Sequence, residues 1–176
     1  MQGYTYLTQI ESLWNQAVDL YRDGNRTPSD YFNSEQLQVL AENGLKVMDF
    51  YDGAEDFLSS GEPDFATFVA VNDIRRSYFL IEQGGEHADF EITLGDLPAK
   101  TDELDGITWL PRILPKARAK LQGTLSPEIM YGCGGDRRFF KTHNLHPAEF
   151  LQVVWKAGDD DQQVLEYVKA KSAVTA

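Results

Sequence analysis

The sequence predicts an all-α fold, and three observations lead to this prediction. Apolar residues recur at intervals of three and four along at least six segments, the spacing that places them on one face of an α-helix. Glycines and capping residues separate these segments, as expected of helices joined by short connections. Alternation of apolar and polar residues is confined to Phe90, Ile92 and Leu94, so we expect one short extended or strand segment near residues 88–95.

Four helices are expected in the first half of the chain. Gly24, Gly44 and Gly61 follow the first three apolar stripes and are natural helix ends, whereas Asp64 can cap the fourth helix. The four stripes cover residues 6–21, 34–43, 47–58 and 65–81.

Three more helices are expected after the irregular residues 84–106. Pro115 lies inside the first of them, so this helix either begins near Leu114 or is kinked. Pro147 suits the first turn of the next helix, and the acidic residues 159–161 can cap the last one. The three stripes cover residues 109–123, 147–158 and 161–168.

About seven helices are therefore predicted, in a single domain over residues 1–176. An internal division would separate an acidic helical part, residues 1–83, from a second part, residues 107–171, with residues 84–106 joining them.

Charge and composition exclude some classes of partner. The formal net charge is −12, and residues 1–100 hold 18 acidic side chains against 6 basic ones. A field this negative repels phosphate, so we expect no nucleic-acid partner. No segment approaches the roughly 18 apolar residues that span a membrane, and no signal peptide is visible, so we expect no membrane association. The single cysteine, Cys133, permits no internal disulfide, which favours a cytoplasmic location.

A glycine-rich loop, MYGCGGDRRFF at residues 130–140, is the first candidate site. Its glycines let a ligand approach the backbone, and Asp136 is placed to cap a helix whose first N–H groups can bind an anion. Cys133 lies close to that helix start and to two arginines, an environment that can make a thiol nucleophilic. Cys133 and Asp136 are therefore the candidate catalytic residues. The alternative is a tight turn around a buried, inert thiol.

A basic helix is the second candidate. Arg112, Lys116 and Lys120 are four residues apart and share one helix face, a row that could clamp a carboxylate or phosphate. Alternatively, the row is a solvated face or pairs with the acidic residues of segment 49–56. The helix and the loop together supply the predicted ligand-binding residues, which are Arg112, Lys116, Arg118, Gly134, Gly135, Asp136 and Arg137.

No metal site is predicted. Asp52, Glu55 and Asp56 share a helix face, but the three histidines have no metal-ligand spacing that would complete a site. Nucleotide-binding glycine fingerprints and hydrolase motifs do not occur, so the sequence indicates no particular cofactor.

Three blocks of sequence resemble a known family. They are WLPRILPKARAKLQGTL at residues 109–125, MYGCGGDRR at 130–138 and EFLQVVWKAGDDDQQVLEYV at 149–168. They are similar to the uncharacterised bacterial family called domain of unknown function 5069, over about residues 95–170. The resemblance implies no established activity. Its matched positions include Arg112, Lys116, Arg118, Cys133 and Asp136.

Two functions follow as hypotheses. The first is binding of a small anionic or polar ligand, with or without catalysis, in a pocket between the basic helix at 112–120 and the glycine loop at 132–136. The alternative is a protein-interaction or regulatory module whose acidic N-terminal face docks a protein partner. Nothing in the sequence decides whether the protein is an enzyme.

Overall fold

The computed structural model describes residues 5–173. Along that part of the chain, eight α-helices alternate with short connections and one small hairpin. The helices are α1 (Tyr6–Arg22), α2 (Ser34–Glu42), α3 (Val47–Ser60), α4 (Phe65–Ile81), α5 (Leu110–Gln122), α6 (Gly134–Thr142), α7 (Pro147–Ala157) and α8 (Asp161–Ala173), and the strands are β1 (Glu103–Leu104) and β2 (Ile107–Thr108). The prediction of a mostly helical fold is confirmed.

The chain forms two compact units, residues 1–87 and residues 88–176. The boundary falls inside the segment 84–106 that separates the helical stripes of the two halves. The prediction of a single domain over residues 1–176, with or without an internal division, stays a prediction. None of the described helices is long and apolar enough to cross a membrane.

The first unit is built on aromatic packing among α1, α3 and α4. The Trp14 ring lies 4.4 Å from that of Phe68, and Phe50 packs edge-on to Phe68 at 4.9 Å between centroids. Gly53 lets α3 approach this cluster, because a Cβ at that position would lie 2.9 Å from the Trp14 ring. Asp64 caps α4 as predicted, since its carboxylate accepts a hydrogen bond from the backbone N–H of Thr67.

The second unit packs α5 against α7 and α7 against α8. Its core is apolar and aromatic, and α6 contributes two phenylalanines to it. Phe139 and Phe140 both contact the ring of Phe150, at 5.9 and 5.6 Å between centroids. The fully or nearly fully buried aliphatic side chains of this core include Leu110, Ile113, Leu114, Leu151, Val154, Val164, Leu165 and Val168.

Four local predictions can be compared with the structure. Helix α5 begins at Leu110, so the alternative start near Leu114 is wrong; Pro115 lies inside the helix, where it removes one backbone donor. The short extended or strand segment predicted near residues 88–95 is confirmed as an isolated bridge between Ile92 and Leu125. The two-stranded sheet lies at 103–108, where the sequence predicts a loop, and eight α-helices lie within residues 5–173 where about seven were predicted.

Candidate anion-binding cavity

A buried ion pair joins α5 to α6. The Lys116 ammonium contacts Oδ2 of Asp136, and both side chains are almost completely excluded from solvent. The same carboxylate accepts hydrogen bonds from the indole Nε1 of Trp109 and from the backbone N–H of Gly132, each at 2.9 Å. The negative charge of Asp136 is therefore matched by three donors, which offsets the cost of burying it.

Asp136 does not take the capping position that the sequence analysis assigned to it. The N-cap residue of α6 is Cys133, and Asp136 lies in the first turn of the helix. Its carboxylate turns back to the N–H of Gly132, just before the helix, and to side chains beyond it. Asp136 thus orders the glycine loop from a buried position.

Trp109 and Gly135 are in unusually close contact. A Cβ on Gly135 would lie 2.4 Å from a ring carbon of Trp109, so only glycine lets α6 approach the indole this closely. Trp109 itself has φ of 76°, a left-handed conformation that costs about 1–3 kcal/mol for most non-glycine residues. The indole hydrogen bond to Asp136 is one of the contacts that holds it there.

A cavity of about 930 Å³ opens beside this cluster, entirely within the second unit. One face of α6 forms a wall of it, because Gly135, Arg138, Phe139 and Thr142 follow the three- and four-residue spacing of a helix face. The remaining wall comes from the 94–109 segment, α5, the loop before α6 and the residue that ends α6. These residues are Leu94, Leu97, Lys100, Gly106, Ile107, Thr108, Trp109, Arg112, Lys116, Glu128, Ile129, Met130, Cys133 and His143.

Four cationic side chains line the cavity, and they differ in how far their charges are already matched. Lys116 is neutralised by Asp136. Arg112 donates from Nη1 to the carbonyl oxygen of Pro98 at 2.5 Å and lies over the Trp109 ring, so a neutral partner holds it in place. Within residues 5–173, the side chains of Lys100 and Arg138 form no hydrogen bond or ion pair, and both are exposed.

Glu128 is the carboxylate on the same wall, and it has a structural contact. Its Oε1 accepts a hydrogen bond from the backbone N–H of Leu94 at 3.2 Å. Lys100, Arg138 and Arg112 are therefore not neutralised by a carboxylate, and the lining contains one carboxylate, that of Glu128. The lining has net positive charge in a chain whose formal net charge is −12.

Cys133 and His143 line the cavity from the two ends of α6. The thiol is half-buried, and its Sγ lies 3.4 Å from the Lys116 Nζ. The nine residues of α6 separate Cys133 from His143, and this spacing of ten positions corresponds to about 15 Å along a helix axis. The two side chains therefore do not form a nucleophile–base pair.

The predicted ligand-binding residues divide into two groups. Arg112, Lys116 and Gly135 line the cavity, as does the catalytic candidate Cys133. The others have different surroundings: Asp136 is buried behind the wall, and Arg137 donates to the Gly132 carbonyl. Arg118 pairs with Asp161 at 2.5 Å on the surface, and Gly134 is exposed at the start of α6.

The site residues that the sequence analysis missed include Lys100, Trp109, Arg138 and His143. Arg138 and His143 could have been found by extending the helical face of Gly135 through residues 138, 139 and 142. Lys100 and Trp109 lie in an irregular segment and at a helix start, where no periodic signal exists.

The acidic segment of the first unit is tied into local contacts. Glu55 accepts a hydrogen bond from the Tyr21 hydroxyl at 2.6 Å, which raises the pKa of that phenol to about 12. Asp49 accepts from the backbone N–H of Lys46 at 2.9 Å. Within residues 5–173, no cluster of three or more His, Cys, Asp and Glu side chains is arranged to hold a metal ion.

Comparison with known proteins finds one similarity, to a family without an assigned activity. Residues 96–176 match the model of the family described as domain of unknown function (DUF5069). The resemblance indicated by the sequence blocks is thereby confirmed over that range, which contains every cavity-lining residue except Leu94. No curated protein and no solved structure matches the chain.

Proposed function

We propose that the second unit binds a small anionic ligand in the cavity between α5 and α6. The observation that carries the proposal is the charge of the wall: Lys100, Arg112 and Arg138 present cationic groups that no carboxylate neutralises within the described residues. The chain has many more acidic than basic side chains, so carboxylate partners for these cations are plentiful. Cations that stay unneutralised at a concave surface therefore favour binding of a ligand of opposite charge.

The start of α6 adds to this field. Its first backbone N–H groups carry the partial positive charge of a helix N-terminus, and Gly135 on the cavity wall belongs to that first turn. The buried carboxylate of Asp136 is already compensated by Lys116, Trp109 and Gly132. It therefore subtracts little from the potential inside the cavity.

The cavity suits a ligand with an apolar body as well as an anionic group. Its volume of about 930 Å³ lies at the upper end of the range of roughly 300–1,000 Å³ that is usual for small-molecule sites. Ile107, Ile129, Met130 and Phe139 supply apolar lining between the cationic side chains. The apolar part of such a ligand would pack against these residues, and its anionic group would pair with Lys100 and Arg138.

Thermal unfolding with simple anions tests the proposal. Sodium phosphate, citrate and benzoate are compared with sodium chloride at equal ionic strength, so that screening is matched. We expect at least one of the three to raise the melting temperature in a saturable way. A ligand at 100 times its dissociation constant adds about 2.7 kcal/mol to the free energy of unfolding.

Charge-neutralising variants show whether the stabilisation arises in the cavity. Lys100→Gln and Arg138→Gln should weaken it, because each removes an unmatched cation from the wall. Arg118→Gln is the control: it removes a cation of α5 that pairs with Asp161 and does not line the cavity. No saturable stabilisation by any of the three anions, or equal stabilisation of all variants, would refute the proposal.

A further inference from the structure

The hydrogen bonds of His143 favour one position for the proton of its ring. Nδ1 lies 2.8 Å from the hydroxyl oxygen of Ser172 on α8. That hydroxyl also lies 2.7 Å from the carbonyl oxygen of Val168, which can only accept a hydrogen bond. The assignment that satisfies both of these contacts has Ser172 donating to Val168 and accepting from Nδ1–H, which leaves a lone pair on Nε2 of the neutral ring.

The ring is held in this orientation from a second side. Phe139, one helical turn earlier, packs against the imidazole with 4.7 Å between ring centroids. Burial lowers the pKa of His143, which favours the neutral ring near pH 7. The charged groups that share the cavity with it are Arg138 on α6, Lys100, Arg112 and Lys116 elsewhere on the wall, and Glu128 on the loop before α6.

Nε2 is the remaining polar atom of this ring, and it makes no hydrogen bond within residues 5–173. His143 lines the cavity, where four of the other five charged side chains are cationic donors and Glu128 is the fifth. A neutral imidazole therefore adds a hydrogen-bond acceptor beside these cations.

We propose that Nε2 of His143 accepts a hydrogen bond from the ligand, which is therefore an apolar-bodied carboxylate that also carries a hydroxyl or amino group. This inference rests on the proposed anion site, since the carboxylate is assigned to the cations of the wall. It adds a requirement that the anion site alone does not make. The ligand must carry a hydrogen-bond donor, and this donor must lie at the C-terminal end of α6, opposite the end at which Cys133 lies.

Matched aromatic carboxylates test for that donor. The probes are benzoate, meta- and para-hydroxybenzoate, and the methyl ethers of these two phenols, which keep the oxygen but lose its hydrogen. We expect one hydroxybenzoate to bind about three- to tenfold more tightly than benzoate and than its own methyl ether, the factor that one net hydrogen bond contributes. Dissociation constants are measured by titration calorimetry.

The variant His143→Asn assigns the effect to Nε2. Asparagine keeps an N–H near the Ser172 oxygen but has no atom in the place of Nε2, so the preference for the hydroxybenzoate should fall to near unity. His146→Asn is the matched control, because His146 caps α7 without lining the cavity, and asparagine is itself a good N-cap. Its preference should equal that of the unchanged protein.

Each outcome separates this inference from the anion site. Equal binding of all the benzoates, or binding of phosphate or citrate with no binding of any benzoate, overturns the donor requirement and leaves the anion site standing. If no anion binds, both fall. Nitrogen-15 NMR of the histidine rings gives an independent result: a protonated Nε2 on neutral His143, or a charged ring at pH 7, would also overturn the inference.

Discussion

The ammonium group of Lys116 lies against the carboxylate of Asp136, and both side chains are almost completely excluded from solvent. The pair therefore acts as part of the framework of the cavity. It fixes α5 to the start of α6, and it leaves Lys116 Nζ within 3.4 Å of the Cys133 sulfur on the cavity wall. The residues that bind a ligand in the proposal are the outer cations, Lys100, Arg112 and Arg138.

Breaking this pair should destabilise the protein strongly. In Asp136→Asn the shape of the side chain is kept, but the buried Lys116 loses its counter-charge. We expect the free energy of unfolding to fall by about 3–5 kcal/mol, the usual cost of leaving one member of a buried pair uncompensated. Urea denaturation followed by circular dichroism measures the change.

The exposed pair of the same helix provides the comparison. Arg118 and Asp161 are 2.5 Å apart, but their side chains are 25% and 51% exposed, so water replaces the lost partner. Arg118→Gln should cost less than about 1 kcal/mol. If Asp136→Asn costs no more than Arg118→Gln, the buried pair does not hold α5 to the start of α6.

Helix positions were predictable from the sequence because their signals are local. The apolar stripe of α1 and the cap of α4 at Asp64 depend on residues within one or two helical turns. The partner of Lys116 was not predictable in the same way. Asp136 is 20 residues away, and both its polar character and its place after two glycines are equally typical of an exposed helix cap.

The missed site residues show a second limit. Trp109 lines the cavity with a left-handed backbone and with its ring close to α6, an approach that Gly135 permits. Neither condition leaves a periodic pattern in the sequence. A sequence also does not show which basic residues already have a partner. Arg118 and Arg137 were predicted as ligand-binding residues, but both have structural contacts. Lys100 and Arg138 line the cavity and were not predicted.

The two adjacent glycines at the start of α6 should respond differently to alanine. Gly135→Ala places a Cβ 2.4 Å from the Trp109 ring, so we expect a loss of about 1–3 kcal/mol from overpacking and a change in tryptophan fluorescence. At Gly134 the nearest atom is Arg137 Nη2 at 3.8 Å, an ordinary contact, so Gly134→Ala should stay within about 0.5 kcal/mol. Equal effects would contradict the close approach of Trp109 to α6.

His143 should make the protein more sensitive to mild acid. Because burial lowers its folded-state pKa below the ordinary value of 6.5, the unfolded chain takes up the proton first as the pH falls. Stability from the neutral ring is thus complete above pH 6.5 and is lost as the pH falls through the folded-state pKa. His143→Gln should reduce the loss of stability in this window, measured by urea denaturation at a series of pH values. Parallel curves for the two proteins would contradict a buried, neutral His143.

The thiol of Cys133 reports the charge of the cavity directly. Iodoacetate and iodoacetamide alkylate the same sulfur, but only iodoacetate is an anion, so the ratio of their rates reflects the local potential. We expect that ratio to be about three- to tenfold higher in the folded protein than in urea, because Lys100, Arg112 and Arg138 attract the anionic reagent. Added salt should reduce the excess, since these cations are partly exposed. The double variant Lys100→Gln/Arg138→Gln should lower the ratio, whereas Arg118→Gln, whose charge lies outside the cavity, should leave it unchanged. A folded-state ratio equal to the ratio in urea would mean that the wall does not concentrate anions, and the proposed ligand class would then be wrong.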